Sequence, residues 1–473
     1  MEITPIGWIL LPLGATLFLV APRALYQLTI FFLPFSATAI ANIGSSDSAS
    51  GVQASMFFGA LWMLKEMPAL VSLRSVEKDR LRTPVRQLVL FVCIAAISLI
   101  MPMWINGHLV IESPEFAASG SEPLQFTSRH LTQTFYLVYG VVFAVMVAIK
   151  NYDSRQLVRS LRTFLISAIF VSCWGFFQLS CWILNVDYPA YIFNTSASDS
   201  AMGFSQEIRE MGLKRISSVA TEPSMFAQVM LVAMAIALFA LISARPLISK
   251  TWDRIALAVI LGGLLISTST IAYAGLAAVF GLYLCALAYL RVLRPRYAVA
   301  FFAFCGLSLY GYFLYVPAQQ VFESMVMGKG ESYSALARVN SILLARDYFL
   351  RYPLLGVGWG SVTSHDLVFK LLSNIGIIGL FVFLLFIVTA LRRLYRAARN
   401  PGMRLTRVWP LCMLAAMVMV IFTNLVGGFA FTYGHLWFVF GLAMAVTAYR
   451  PWPALLQHIA IPMDPELGTL GCE

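Results

Sequence analysis

Few residues in this chain are equipped for chemistry, and most of those gather in two polar stretches. The first, KRISSVATEPSMFAQ (214–228), sets Lys214 and Arg215 ahead of a Glu222-Pro223 step. The second, ARVNSILLARDYFLRYPLLGVGWGSVTSH (337–365), carries Arg338, Arg346 and Arg351, then a glycine-rich turn, then one histidine, His365. Guanidinium groups are permanently charged, planar donors that match phosphate oxygens. A neutral imidazole is the ordinary side chain best matched to accepting a proton near neutral pH. The combination points to an anionic partner near a candidate base. Plainer roles exist for each piece. Arginines can snorkel to lipid phosphates, His365 can be a polar anchor at an interface, and Glu222 can either favour a helix dipole or orient Arg215 through a bidentate pair. Gly356, Gly358 and Gly360 supply a turn whose amides can approach a ligand, or simply a re-entry turn. GVGWG lacks the strand and helix that frame a nucleotide fingerprint.

The elements that must position these residues are membrane spans. The chain is 60% hydrophobic, its mean hydropathy is +0.80, and apolar runs of bilayer-crossing length recur along it. They fall at 6–21, 25–43, 52–72, 87–105, 132–149, 164–185, 224–243, 255–269, 271–290, 297–316, 366–390, 408–428 and 433–449. The expectation is an all-α polytopic integral membrane protein of about 12–14 transmembrane helices, forming a single integral domain over 1–473. The opening residues lack a basic region and a small-residue cleavage site, so they read as a first span and not as a signal peptide. The net charge of +11 does not imply nucleic acid, because the basic residues cluster between spans. The basic loops 72–86, 150–162, 291–296 and 392–407 fall on one side of the span count, which the positive-inside rule assigns to the cytoplasm.

The other side then carries 106–131, with Glu112, Glu115, Glu122, His108 and His130, and two further loops, 186–223 and 317–365. The last two hold Arg209, Lys214, Arg215, Lys329, Arg338, Arg346 and Arg351 against the orientation bias, which again suggests an anionic partner. Within 317–365, Leu336, Val339, Leu343 and Leu350 recur at helical spacing and predict an interfacial helix that Pro353 ends. Pro223 predicts a helix start. Ser267 to Thr270 either line a polar cavity or satisfy backbone groups at a tight turn. Lys65 and Glu66 read as a snorkelling pair at the cytoplasmic end of a span. The cysteines show neither a disulfide framework nor a metal-binding pair.

In order along the chain, Arg215 with Glu222-Pro223, Arg338, Pro353-x-x-Gly356-x-Gly358, His365, and Gly376-x-x-Gly379 resemble the O-antigen polymerase and O-antigen ligase superfamily, the Wzy-like and WaaL-like proteins. About a third of the chain carries the motifs; the rest of the resemblance is span order. One departure is Asp366, where the family commonly has asparagine after the histidine; a close carboxylate there would raise the pKa of His365. The resemblance implies a GT-C-like glycosyltransferase in the bacterial cytoplasmic (inner) membrane, its active site facing the periplasm or exterior. The implied donor is a glycan on a polyprenyl diphosphate, undecaprenyl diphosphate in this family, and the acceptor is a second glycan. Arg215 and Arg338 would stabilise the leaving diphosphate with Arg351 and Lys214 helping, His365 would be the base, and Trp359 would stack on a sugar or anchor at the interface. Neither a cofactor nor a metal is implied, the two basic loops having no Asp-x-Asp. Inverting polymerisation of O-antigen or exopolysaccharide repeat units is favoured. Ligation to lipid A core or another terminal acceptor, and transport by a lipid-linked sugar flippase, are the alternatives. A chain-length regulator and a separate flippase are expected partners.

Overall fold

The computed structural model describes residues 2–44, 50–71, 75–112, 121–197, 204–205, 207–208, 213–242, 246–291, 299, 333–399, 408–427 and 431–448. Among them the helices run in order as α1 (Gly7–Val20), α2 (Pro22–Phe31), α3 (Ala54–Val71), α4 (Ser75–Ser98), α5 (Ile100–Ile105), α6 (Ser128–Lys150), α7 (Ser154–Ile183), α8 (Ala190–Phe193), α9 (Pro223–Ile242), α10 (Lys250–Ile266), α11 (Thr270–Tyr289), α12 (Tyr333–Arg351), α13 (Leu367–Arg399), α14 (Val408–Val426) and α15 (Gly434–Ala448). Seven helical stretches among the described residues are long and apolar enough to cross a membrane, and α1 and α15 are shorter apolar helices. The protein is a mostly helical, multi-pass membrane protein, as hydropathy predicts. The expected span 297–316 lies, but for residue 299, outside the described residues, as do Arg209, Glu115 and Lys329.

The expected span 25–43 is not one helix. Helix α2 has ten residues, and Pro34, which cannot donate to a helical ladder, follows its end. The chain then pairs Ala39–Ile43 as the middle strand of a small antiparallel sheet, between Glu2–Ile3 and Ser50–Gln53. Apolar content identified this stretch as buried, and Ala39, Ile40 and Ala41 are buried. Hydropathy carries no information about how the backbone bonds, so the strand was invisible to it.

Helix α9 is the central post. It is apolar on every side, the pattern of a helix buried all round, and 89% of its hydrophobic window is enclosed by protein. It contacts α7, α10, α11 and α14. Without water to drive helices together, close approach matters, and glycines provide it: Gly140 of α6 lies against the Trp437 ring of α15, and Gly441 of α15 against Val147 of α6. At the C-terminal end of α6, Lys150 forms a 2.9 Å ion pair with Glu66, while Lys65 sits 5.1 Å from the centre of the Phe18 ring. Glu66 is therefore partnered across helices, which snorkelling did not foresee.

Candidate functional site

The segment that presents Arg215 is a strap fixed at several points. Ile216 through Ala220 are buried. The Ser218 amide donates to Gln178 Oε1 at 2.7 Å, and its hydroxyl donates to the Val171 carbonyl of α7 at 2.7 Å. Asn194 Nδ2 donates to the Ser218 carbonyl, and the Thr221 amide to Ser36 Oγ. The strap also bonds to the sheet side of the molecule through Ala37 N and the Val219 carbonyl. It delivers Glu222 to the cap of α9, with Pro223 as the first helical residue, as the sequence predicts. The Glu222 carboxylate accepts from Ser224 Oγ at 2.8 Å.

Helix α12 covers Tyr333–Arg351 and ends before Pro353. Ala337, Ser341, Ala345 and Tyr348 are buried on one face, whereas Leu336, Val339, Leu343 and Leu350 are exposed on the opposite one. The small-residue face packs on protein, and the apolar stripe points away from it. Arg338 flanks the packed face and is half-buried. Ser341 Oγ donates to the Arg338 carbonyl at 2.7 Å and lies 3.0 Å from His365 Nδ1. The His365 amide also donates to Ser341 Oγ, at 3.2 Å.

The glycine turn packs against a break in α13. Within α13, Gly376 has φ 66° and ψ −169°, so the helix breaks there. The break frees carbonyls, and the turn's amides take them: Val357 N donates to the Ser373 carbonyl at 2.8 Å, and Gly358 N to the Asn374 carbonyl at 3.1 Å. Ile377 N returns a bond to the Pro353 carbonyl at 2.9 Å. The Asn374 side chain bonds the Val362 amide and carbonyl. A Cβ on Gly376 would stand 2.0 Å from the Leu354 carbonyl oxygen, and one on Gly356 would stand 2.4 Å from that of Ser373. Gly356 and Gly358 thus seat the loop on a broken helix, which satisfies polar backbone inside the apolar bundle. The Gly356 and Gly358 amides, expected to approach a ligand, are engaged instead by the Tyr352 and Asn374 carbonyls.

Trp359 is corrected likewise. Its ring is 4% exposed and packs 5.0 Å from the Phe431 centroid and 6.1 Å from that of Phe91, so no face is open for stacking. Its amide donates to Ser98 Oγ. Asp366 caps the first half of α13: Oδ1 accepts from Val368 N at 2.6 Å and from Phe369 N at 3.1 Å. His130 reaches the same loop, its Nε2 3.1 Å from Ser361 Oγ, and Arg129 donates to Thr363 Oγ1. Both residues start α6, so α6 braces the loop that ends at His365. Of the turn hydroxyls at 267–270, Ser267 donates to the Leu264 carbonyl, a backbone-satisfying role.

Electrostatics show which charges meet. Burial holds the Arg215 guanidinium below its ordinary range, Glu222 opposes this, and the like charge of Arg338 adds to it. Burial also lowers the pKa of His365, with Arg338 and then Lys370 acting in the same direction and Glu222 against them. Arg215, Glu222, Arg338 and His365 therefore occupy one neighbourhood, each half-buried. Asp366 is not among the charges acting on His365, and the shift is opposite to the one its carboxylate would cause.

Arg351 is not part of this group. It lies 13 residues after Arg338 on the same helix, which at about 1.5 Å per residue is roughly 20 Å away, and it acts on Tyr348 instead. Lys214 ends a two-residue strand, Leu213–Lys214, paired with Glu207–Ile208, and is not among the charges shifting Arg215 or His365. Three participants escaped the sequence analysis: Ser341, Lys370 and Tyr433. Burial raises the pKa of the Tyr433 phenol, and Glu222 raises it further. Spacing could have found Ser341, three residues after Arg338 on a helix. Nothing local marks Tyr433, which immediately precedes α15.

No protein-family model matches the chain, and no curated protein matches it.

Proposed function

We propose that this protein is a glycosyltransferase that joins oligosaccharide repeat units carried on a polyprenyl diphosphate, at the outer face of the cytoplasmic membrane. The observation that carries this is the meeting of Arg215 and Arg338, from segments more than a hundred residues apart, with His365 beside them, its pKa lowered by burial and by Arg338. A diphosphate leaving group requires fixed positive charge, and a sugar hydroxyl requires a base. The acceptor hydroxyl oxygen attacks the anomeric carbon of the donor, whose bond to the phosphate oxygen breaks. The proton passes to His365, and the lipid diphosphate leaves toward the two guanidinium groups. Direct attack inverts the anomeric centre. Glu222 sets the field around Arg215, and the apolar stripe of α12 suits a helix resting on lipid, at the depth of a lipid-linked phosphate. The ordered motifs resembling Wzy-like and WaaL-like proteins support the same chemistry.

Deletion of the gene, followed by gel analysis of surface glycan, tests the proposal. Single repeat units on their terminal acceptor support polymerisation. Polymer accumulating on the lipid carrier means ligation instead, and units trapped on the inner leaflet mean transport. In purified protein, His365→Ala should lower transfer about 10²- to 10⁴-fold, and Arg215→Ala or Arg338→Ala about 10²- to 10³-fold. Full transfer by His365→Ala would remove it from the reaction.

A further inference from the structure

We infer that Ser341 sets the tautomer of His365, fixing the proton on Nδ1 and leaving Nε2 as the proton-accepting atom. The Ser341 hydroxyl has one proton and three neighbours that compete for its oxygen or that proton. The Arg338 carbonyl, 2.7 Å away, can only accept. The His365 amide, 3.2 Å away, can only donate. Only the contact to His365 Nδ1, at 3.0 Å, can run in either direction. A helical serine ordinarily gives its proton to a carbonyl three or four residues back, and here that contact is the shorter one. With its proton committed to Arg338, Ser341 Oγ has lone pairs alone to offer, so Nδ1 must carry hydrogen.

The arrangement is built for the purpose. Ser341 is fully buried on the packed face of α12, so water cannot replace it, and it bonds both the ring and the backbone of His365. It also ties the base to Arg338 through one side chain. Ser341 touches no reacting atom in this scheme and is a positioning residue; a histidine's second nitrogen is commonly fixed this way by the bond it makes. The tautomer stands on the hydrogen-bond geometry, whereas its use in catalysis rests on the function proposed above.

The test is nitrogen NMR of the purified full-length chain labelled with ¹⁵N-histidine, at a pH where imidazole is neutral. Five histidines are present, and the His365 signals are those lost in His365→Gln. We expect protonated Nδ1 and bare Nε2 in the wild-type protein, a shift toward protonated Nε2 in Ser341→Ala, and retention of the wild-type state in Ser341→Thr. Protonated Nε2 in the wild-type protein overturns the inference outright, even if Ser341→Ala fails to fold. An unchanged tautomer in a folded Ser341→Ala overturns it as well. In the transfer assay, a competent fraction cut to about a tenth should lower kcat about tenfold in Ser341→Ala, with KM within about twofold and kcat recovered in Ser341→Thr. If the tautomer shifts as expected but His365→Gln leaves transfer intact, the proposed function fails while the tautomer assignment stands. If His365→Gln is inactive and a shifted Ser341→Ala retains full kcat, the positioning role is overturned.

Discussion

Replacing Gly376 with alanine should dismantle the seat of His365 without touching the histidine. The residue combines φ 66° with ψ −169°, a region essentially reserved for glycine, where a side chain costs about 1–3 kcal/mol. The added Cβ would also stand 2.0 Å from the Leu354 carbonyl oxygen, and that oxygen is backbone. Relief requires the loop and the broken helix to part, which strains the bonds Val357 N to Ser373, Gly358 N to Asn374 and Ile377 N to Pro353, each worth about 1 kcal/mol net. The expected destabilisation is about 5 kcal/mol, large beside the usual 5–15 kcal/mol stability of a folded domain, roughly stated. The assay is unfolding of the purified protein by SDS titration in mixed micelles, compared with Gly281→Ala. Gly281 lies within α11 and would meet nothing within 4 Å, so its variant should match or slightly exceed the wild type. A Gly376→Ala protein that unfolds at the wild-type midpoint with full transfer activity would refute this account of the turn.

Further outcomes follow from the charges and caps around the same loop. His365 acts as a base only when neutral, and its pKa is lowered from 6.5, so kcat/KM should fall on acidification with a midpoint below that value. Residual activity of Arg338→Gln should show the midpoint moved up, because a lowering charge is gone, and Glu222→Gln should move it down; movement in the reverse senses would contradict the assigned field. Asp366→Ala should cost about 1 kcal/mol in unfolding free energy as a lost cap while leaving that midpoint in place, and a large upward or downward shift would show that its carboxylate does act on His365. Trp359→Phe should leave KM for donor and acceptor unchanged, whereas Trp359→Ala should destabilise by about 3–5 kcal/mol; a raised KM in the phenylalanine variant would restore the sugar-stacking role.

Hydropathy made the apolar helices legible, and proline made their limits legible at Pro223 and Pro353, because both signals are local. The pairing of Arg215 with Arg338 was legible only as an ordered motif, since spacing along the chain says nothing about which helix ends meet. The glycine turn was found, with a ligand-facing turn and a plain re-entry turn both open. Its composition announces close backbone approach, and only the fold shows that an approaching partner is the break at Gly376. Trp359 was likewise visible as an aromatic beside the turn, yet its burial depends on Phe91 and Phe431 from distant helices. Asp366 follows His365 in sequence, and helix geometry turns its carboxylate to the amides of Val368 and Phe369 instead.

The interlock between the glycine turn and the broken helix also orders the birth of the protein. Val357 and Gly358 leave the ribosome well before Ser373 and Asn374, the residues whose carbonyls they need. Until α13 has been synthesised, those two bonds have no acceptor. The histidine's cradle can consequently close only once the chain has grown at least 16 residues past the turn.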